Sequence, residues 1–325
     1  MNEAPLVSIR CLVYNHEPYL RQCLDGFVMQ QTTFPYEAII HDDASTDGSA
    51  TIIREYTDKY PDIIKPIYET DNQYCKHDGS LARIMDAAMN PNSKYVALCE
   101  GDDYWTDPNK LQMQVDVMEA DEQIGLVHTF ARVYDQQSES FKDKLWGWPI
   151  NSFEDELIAN RPVTLTTCFR KELFFKAQQF YRSHEHSSSW KMGDYPMWLY
   201  MSYYAKTYFI DKPTGVYRLL KNSASHSPDP QKLADFELSA YDIRFFFAKQ
   251  FHYEHMLKQL ATNLVNKLQE LSLQNDTKIE YDFVGLKREY GLYNSNKLHL
   301  LHFIMQHDTL RHLYLKHLRF RSGRM

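Results

Sequence analysis

Two places in this 325-residue sequence set carboxylates side by side. One is the stretch Asp42-Asp43-Ala44-Ser45-Thr46-Asp47-Gly48-Ser49, and the other is Glu100-Gly101-Asp102-Asp103. Neighbouring carboxylates repel one another unless hydrogen-bond donors or a cation relieve them, so each pair is a candidate to hold a ligand. Oxygen donors of this kind suit Mg²⁺ or Mn²⁺, hard cations that often bridge phosphates. Plainer readings compete. Asp and Ser residues also build turns and helix caps, and that accounts for Ser45 and Asp47. It accounts less well for Asp102-Asp103, because Tyr104-Trp105 follows at once and would cover a site or pack beneath it. Asn15, after Tyr14, reads equally as the cap of the next helix or as a ligand contact.

These residues have to be positioned by something, and hydropathy shows what. Apolar, β-branched runs at Leu6 to Tyr14, Tyr36 to His41, Ile64 to Tyr68 and Tyr95 to Cys99 read as strands. Between them, Tyr19 to Val28, Ile52 to Tyr56 and Leu81 to Ala88 repeat at helical spacing. Another helix is expected from Asp107-Pro108 through Glu119. Strands alternating with helices indicate an α/β fold, a mainly parallel sheet with crossover helices. In such sheets ligands bind beyond the carboxyl ends of the strands, and Asn15, Asp43 and Asp102 each follow one of those ends.

Bulk properties narrow the choice of ligand. With 43% hydrophobic residues the chain can bury one large core or two smaller ones. A formal charge of −7 argues against nucleic acid as a partner. The five cysteines, Cys11, Cys23, Cys75, Cys99 and Cys168, are scattered and mostly sit in apolar strings, as buried thiols of a reducing compartment would. The N-terminus has no basic patch leading into an apolar run, and no apolar run reaches membrane-spanning length. Together these features point to a cytoplasmic location. The turn after the first strand, Tyr14-Asn15-His16-Glu17, lacks the glycines of a dinucleotide fold, and no Gly-Lys-Ser/Thr phosphate loop occurs anywhere. A diphosphate bound here must therefore be held by the carboxylates through a divalent cation.

Val7-Ser8-Ile9 leading to Tyr14-Asn15, the Asp42 to Ser49 stretch, and Glu100-Gly101-Asp102-Asp103-Tyr104-Trp105 together resemble the family 2 glycosyltransferases of GT-A fold, over about the first two-thirds of the chain. The resemblance implies an inverting enzyme that moves a sugar from a nucleotide-diphosphate donor, with UDP-sugar expected, to a hydroxyl of a glycan or lipid-linked acceptor in polysaccharide assembly. Tyr14, Asn15, Asp43, Asp102, Arg218 and Lys221 would bind the nucleotide sugar, Asp43 at the base and Asp102 at the ribose. Asp103 would coordinate Mn²⁺ or Mg²⁺, and Gly101 would let the nucleotide approach the backbone. A sugar nucleotidyltransferase, or a relative that only binds nucleotide or glycan, are the alternatives.

The second half should then carry the general base. Met192-Gly193-Asp194-Tyr195-Pro196 resembles the family segment that supplies it, which makes Asp194 the expected catalytic residue, although an aspartate shortly before a proline also starts helices. Gly215-Val216-Tyr217-Arg218 ends a further strand. In relatives a histidine-bearing polar loop follows and touches the metal or the diphosphate; here Lys221 comes first and His226 lies further on, so that either could bind phosphate, His226 could complete the metal shell, or both could be solvated. His184-x-His186 lacks further ligands at zinc-site spacing and reads as a surface loop that gates the acceptor. The expected domains are a catalytic one at 1–230, divided into a donor half at 1–105 and an acceptor half at 106–230, and a helical region at 231–325. Its helices are Phe236 through Phe251, His255 through Leu273, Tyr281 through Tyr290 and Lys297 through Phe320. The last carries Arg311, Lys316, Arg319, Arg321 and Arg324 among leucines, which suits either the inner face of the cell membrane or packing on the catalytic domain or a second subunit of a homodimer.

Overall fold

The computed structural model describes residues 3–184, 187–221, 227–294 and 296–321. The chain falls into two units. The first comprises Met1–Glu156, Asn160–Ser188 and Met197–Leu219, and the second Leu157–Ala159, Ser189–Pro196 and Leu220–Met325.

The first unit is built on one mixed sheet. Its strands are β1 (Val7–Val13), β2 (Tyr36–Asp42), β3 (Ile64–Tyr68), β4 (Tyr95–Leu98), β5 (Tyr104–Trp105), β6 (Ile124–Asp135), β7 (Ser140–Phe141), β8 (Cys168–Arg170) and β9 (Lys206–Leu219). They lie in the order β3-β2-β1-β4-β8-β6-β9-β5, with β7 paired to β6. β1 pairs in parallel with both β2 and β4, and β2 with β3, as the βαβ pattern requires. The crossovers are α1 (Glu17–Val28), α2 (Ser49–Lys59) and α3 (Ser80–Ala88). Strands covered on both faces need unbroken apolar runs, and Val7, Ile9, Cys11, Ala38, Ile39 and Ile40 are all fully buried.

Beyond β4 the chain turns into β5 and enters α4 (Lys110–Ala120). Asp107-Pro108 is not the helix start that the sequence suggests. Asp107 accepts the Asn109 N–H at 2.9 Å and Pro108 offers its carbonyl to the Gln31 N–H at 2.7 Å, so the two residues lead into α4 while bonded to the segment that follows α1. The remaining helices of this part are α5 (Phe153–Ile158), α6 (Lys171–Arg182) and α7 (Tyr195–Tyr204).

The second unit holds α8 (Pro230–Gln250), α9 (Leu257–Gln274), α10 (Phe283–Tyr290), α11 (Asn296–Gln306) and α12 (Asp308–Arg321). Asp229 caps α8 by accepting the Gln231 and Lys232 N–H groups, and Asp282 caps α10 through Gly285. The apolar faces of α8 and α9 bury Phe247, Leu260, Leu264, Val265 and Leu268. The single helix expected from Lys297 to Phe320 is divided at His307 into α11 and α12. The division follows from Arg311, whose guanidinium takes the Met305 carbonyl at 3.0 Å, satisfying an acceptor at the end of α11, and also bonds Asp276 and Asp308. Arg311 is only 4% exposed, so it is no part of the cationic surface that the sequence pattern suggests. Lys316 is exposed, and Arg324 lies outside the described residues. No helix among the described residues is long and apolar enough to cross a membrane.

One buried charge in the first unit has a measurable consequence. Lys110 is fully buried, with Nζ 4.2 Å from the centre of the Trp105 ring and bonded to Gln114 at 2.7 Å. Burial lowers its pKa to about 8, so the unfolded chain binds the proton more tightly than the fold does. That cost is fully present below about pH 8 and disappears as pH rises towards the value of free lysine, about 10.4. Denaturant titration of wild type and Lys110→Met at several pH values is expected to show wild type gaining roughly 2–3 kcal/mol on the variant between pH 7.5 and 10.5. A pH-independent difference would mean that the lysine is not desolvated as described.

Candidate functional site

The carboxyl ends of β1, β2 and β4 carry three loops, 14–16, 43–48 and 99–103, and hydrogen bonds join the first two. The Asn15 N–H donates to Ser45 Oγ at 2.9 Å, the His16 N–H to Ser49 Oγ at 3.0 Å and the Glu17 N–H to Asp47 Oδ2 at 3.0 Å. In return the Thr46 N–H donates to Asn15 Oδ1 at 2.8 Å and the Gly48 N–H to Glu17 Oε2 at 2.8 Å. The hydroxyls and carboxylates of Asp47, Ser45 and Ser49 are therefore spent on loop structure, as the turn reading of the sequence holds. Asn15 does not cap α1. It adopts φ 55° and uses its side chain on the second loop, while Tyr14 beside it is 47% exposed.

Asp43 is buried, and its two carboxylate oxygens accept the backbone N–H groups of Gln73 at 2.6 Å and Tyr74 at 3.0 Å. Asp42 accepts the Ser45 N–H at 3.2 Å. The repulsion anticipated within this pair is thus relieved by protein donors. Asp43 anchors the segment after β3 to the crevice.

The second pair stands differently. The Glu100 to Asp103 turn is closed by the Asp103 N–H on the Glu100 carbonyl at 3.1 Å and tied to β1 by the Gly101 N–H on the Leu12 carbonyl at 3.0 Å. Arg218, near the end of β9, clamps it twice. Its backbone N–H donates to Asp103 Oδ1 at 2.7 Å, and its Nε to the Asp102 carbonyl at 2.8 Å. The other guanidinium bonds go to Gln136 at 3.0 Å and Gln22 at 2.6 Å, and the planar group lies over the rings of Tyr19 and Tyr104. Every one of these side-chain acceptors is neutral. Trp105 packs beneath the turn, 2% exposed, with its indole N–H on the Leu165 carbonyl at 2.7 Å.

Asp103 is left buried with its pKa pushed well up, first by desolvation and then by the charge of Asp102 beside it, while the Arg218 N–H acts in the opposite direction. Asp102 Oδ1 is buried and accepts no hydrogen bond. Carboxylate oxygens of an adjacent pair that no side-chain cation neutralises suit a hard divalent cation. Among the described residues no group of three or more His, Cys, Asp or Glu side chains is placed to hold a metal ion, whereas Mg²⁺ can be bound by one or two carboxylates with substrate phosphates and water completing its shell.

His16 was not singled out by its residue type, yet it occupies this site. Its backbone is held by Ser49 and its imidazole lies against Gly101, where an added Cβ would come within 2.7 Å of Nδ1. The space at Gly101 is therefore filled by the protein's own imidazole, not left for a ligand as the sequence reading has it. Burial lowers the His16 pKa below the usual imidazole value, against the opposing pull of Asp102 and Asp47.

Asp194 belongs to the second unit. It immediately precedes α7, is half-buried, and accepts the Tyr195 N–H at 2.8 Å. Its segment is pinned to α8. The Lys191 N–H donates to Ser239 Oγ at 2.8 Å, the Trp190 indole to Asp242 at 2.7 Å, and Arg244 Nε to the Tyr195 hydroxyl at 2.9 Å. Lys221 is exposed at the start of the second unit's long segment. His226 and His186 lie outside the described residues.

Comparison with known proteins gives the family and the fold. An uncharacterized protein of Mycobacterium tuberculosis is 36% identical over 168 residues, 51% of this chain and 47% of that protein. The chain spans about half the length of the curated relatives it matches. Staphylococcus aureus TarS in complex with UDP superimposes with a TM-score of 0.54 at 13% identity, covering 98% of this chain and 91% of that one. A mannosyltransferase from Pyrobaculum calidifontis in complex with GDP-Man and Mn²⁺ does so with a TM-score of 0.54 at 16% identity, covering 96% and 87%. Both show the shared fold. The family described as glycosyl transferase family 2 matches residues 8–181, more than half of the chain, and the protein belongs to that family, with the GT-A fold.

Proposed function

We propose that the protein is an inverting glycosyltransferase that moves a sugar from a nucleoside-diphosphate donor, UDP-sugar first among candidates, to a hydroxyl of a glycan or lipid-linked acceptor in polysaccharide assembly. The observation that carries this reading is the Asp102-Asp103 turn at the carboxyl edge of the sheet, an adjacent carboxylate pair with Asp103 buried and Asp102 partly so, which Arg218 positions without a salt bridge. Family membership supports it, as do the UDP and the GDP-mannose with Mn²⁺ named for the two structural neighbours. The first loop, which has neither glycine nor a free cation for a triphosphate, speaks against a nucleotidyltransferase.

In this reading the nucleoside lies along the edge formed by the three loops. Tyr14 is an exposed ring available for stacking, and each oxygen of Asp43 can accept a second hydrogen bond, here from the base. Asn15 keeps the first loop in place, and Asp102 accepts from the ribose. Asp103 would hold Mn²⁺ or Mg²⁺, and the ion would supply positive charge to neutralise the departing diphosphate. Arg218 holds the turn from behind, while Lys221 is assigned to the phosphate side and His226 to the metal beside Asp103. Asp194 takes the proton of the acceptor hydroxyl as that oxygen attacks the anomeric carbon. The bond to the diphosphate oxygen breaks on the opposite face, so configuration inverts and the nucleoside diphosphate leaves. The exposed part of the C-terminal helices is assigned to peripheral membrane contact or a second subunit on the cytoplasmic side.

Incubation with a panel of nucleotide sugars and Mn²⁺ should release nucleoside diphosphate and not pyrophosphate; a panel in which no donor is consumed and none raises the melting temperature would sink the reading. Asp103→Ala is expected to lose the Mn²⁺-dependent part of UDP or GDP binding in a calorimetric titration, with the EDTA-treated wild type behaving the same way. Asp194→Asn should keep that binding and lose turnover by about 10²–10⁴-fold. Normal turnover by the Asp194→Asn enzyme would remove Asp194 from the role of base.

A further inference from the structure

We infer that His16 is a donor-binding residue whose Nε2–H gives a hydrogen bond to a ribose hydroxyl of the nucleoside diphosphate, paired with the carboxylate of Asp102. This rests on the nucleotide-sugar reading above and adds to it a residue that reads the sugar of the nucleotide.

The argument begins with how little freedom His16 has. Its N–H is bonded to Ser49 Oγ at 3.0 Å and its carbonyl accepts the Tyr19 and Leu20 N–H groups, both at 2.9 Å, in the first turn of α1. The imidazole rests on Gly101, where any side chain would collide with Nδ1. Nδ1 is buried and has no hydrogen-bond partner. The glycine hydrogen that stands where a Cβ would be faces it, so Nδ1 is suited to be the lone-pair nitrogen and not a second N–H. In the neutral ring the proton then sits on Nε2, and the residue as a whole is only partly buried.

The neighbouring group is the complement. Asp102 interacts electrostatically with the His16 ring, and its Oδ1 is buried without a donor. Buried polar atoms without partners are uncommon and call for an explanation. One N–H donor and one carboxylate acceptor, on loops that meet where the His16 ring lies against Gly101 and with no hydrogen bond between them, match a group that both accepts and donates. A hydroxyl does this. A phosphate does not, since it would only accept and would be repelled by Asp102. The ribose is the part of the donor that offers hydroxyls.

The test is calorimetric titration of the full chain, with Mn²⁺, using UDP, GDP and their 2′-deoxy and 3′-deoxy counterparts. Wild type is expected to favour the ribonucleotide over at least one deoxy form by about tenfold or more. His16→Asn, whose amide reaches only the Nδ1 position, and His16→Phe should cut that preference by about five- to tenfold. His16→Gln, whose amide nitrogen reaches the Nε2 position, should keep most of it, and Gly101→Ala should act like His16→Asn by displacing the ring. If the phenylalanine variant does not fold, the Asn and Gln variants alone decide. Equal discrimination by wild type, His16→Asn and His16→Gln would overturn the inference while leaving the donor reading intact. Failure of wild type to bind either ribonucleotide would overturn the donor reading and the inference with it.

Discussion

One constraint organises the sheet edge of the first unit: Asp102 and Asp103 stand adjacent, Asp103 buried and Asp102 partly so, with no side-chain cation paired to either carboxylate among the described residues. Two carboxylates in a low-dielectric setting repel strongly, and the obvious remedy, a salt bridge from the nearby Arg218 guanidinium, is not the one used. Arg218 bonds the turn through its own N–H and through a backbone carbonyl, and it directs its remaining donors to two glutamines and its plane to three tyrosines, Tyr19, Tyr104 and Tyr134. The arginine thereby fixes geometry and softens the field, but leaves the carboxylate oxygens with unspent capacity. That capacity is what a metal-bridged diphosphate can use.

Much of the rest of the sheet edge serves the same turn. β5 follows it directly and pairs with β9, which brings Arg218 alongside. Trp105 fills the space below, against Phe27 of α1 with ring centres 5.0 Å apart, and the close approach of Gly26 to the Trp105 backbone is possible because position 26 has no side chain. On the other flank the 14–17 and 44–49 loops bind one another through side-chain acceptors. Those bonds set His16 against Gly101. A loop without glycines can thus be as well defined as a glycine-rich one, provided that a second loop supplies its hydrogen bonds.

The helical unit shows the same economy with a buried arginine. Arg311 ends one helix and begins another by taking a free carbonyl and two carboxylates. The segment with Asp194 is secured to α8 by three side-chain hydrogen bonds, so the expected base sits on a held strap and not on a loose loop.

What the sequence determined by itself was whatever local patterning encodes. The strands of the parallel half, their crossovers, the carboxylates at the strand ends and the turn roles of Ser45 and Asp47 were all legible, because apolar periodicity and residue type act over a few positions. The family was legible from three motifs in order. Only the tertiary structure decided between uses of the same residue type. Asp43 and Asp102 are both acidic residues after strands, yet one is satisfied by backbone N–H groups from 30 residues onward and the other keeps an unpartnered oxygen. Gly101 looked like room for a ligand and proved to be room for His16; Arg311 looked like a surface cation and proved to be buried. In each case the deciding partner is distant in sequence, and no local pattern records which group folding will bring against a charge.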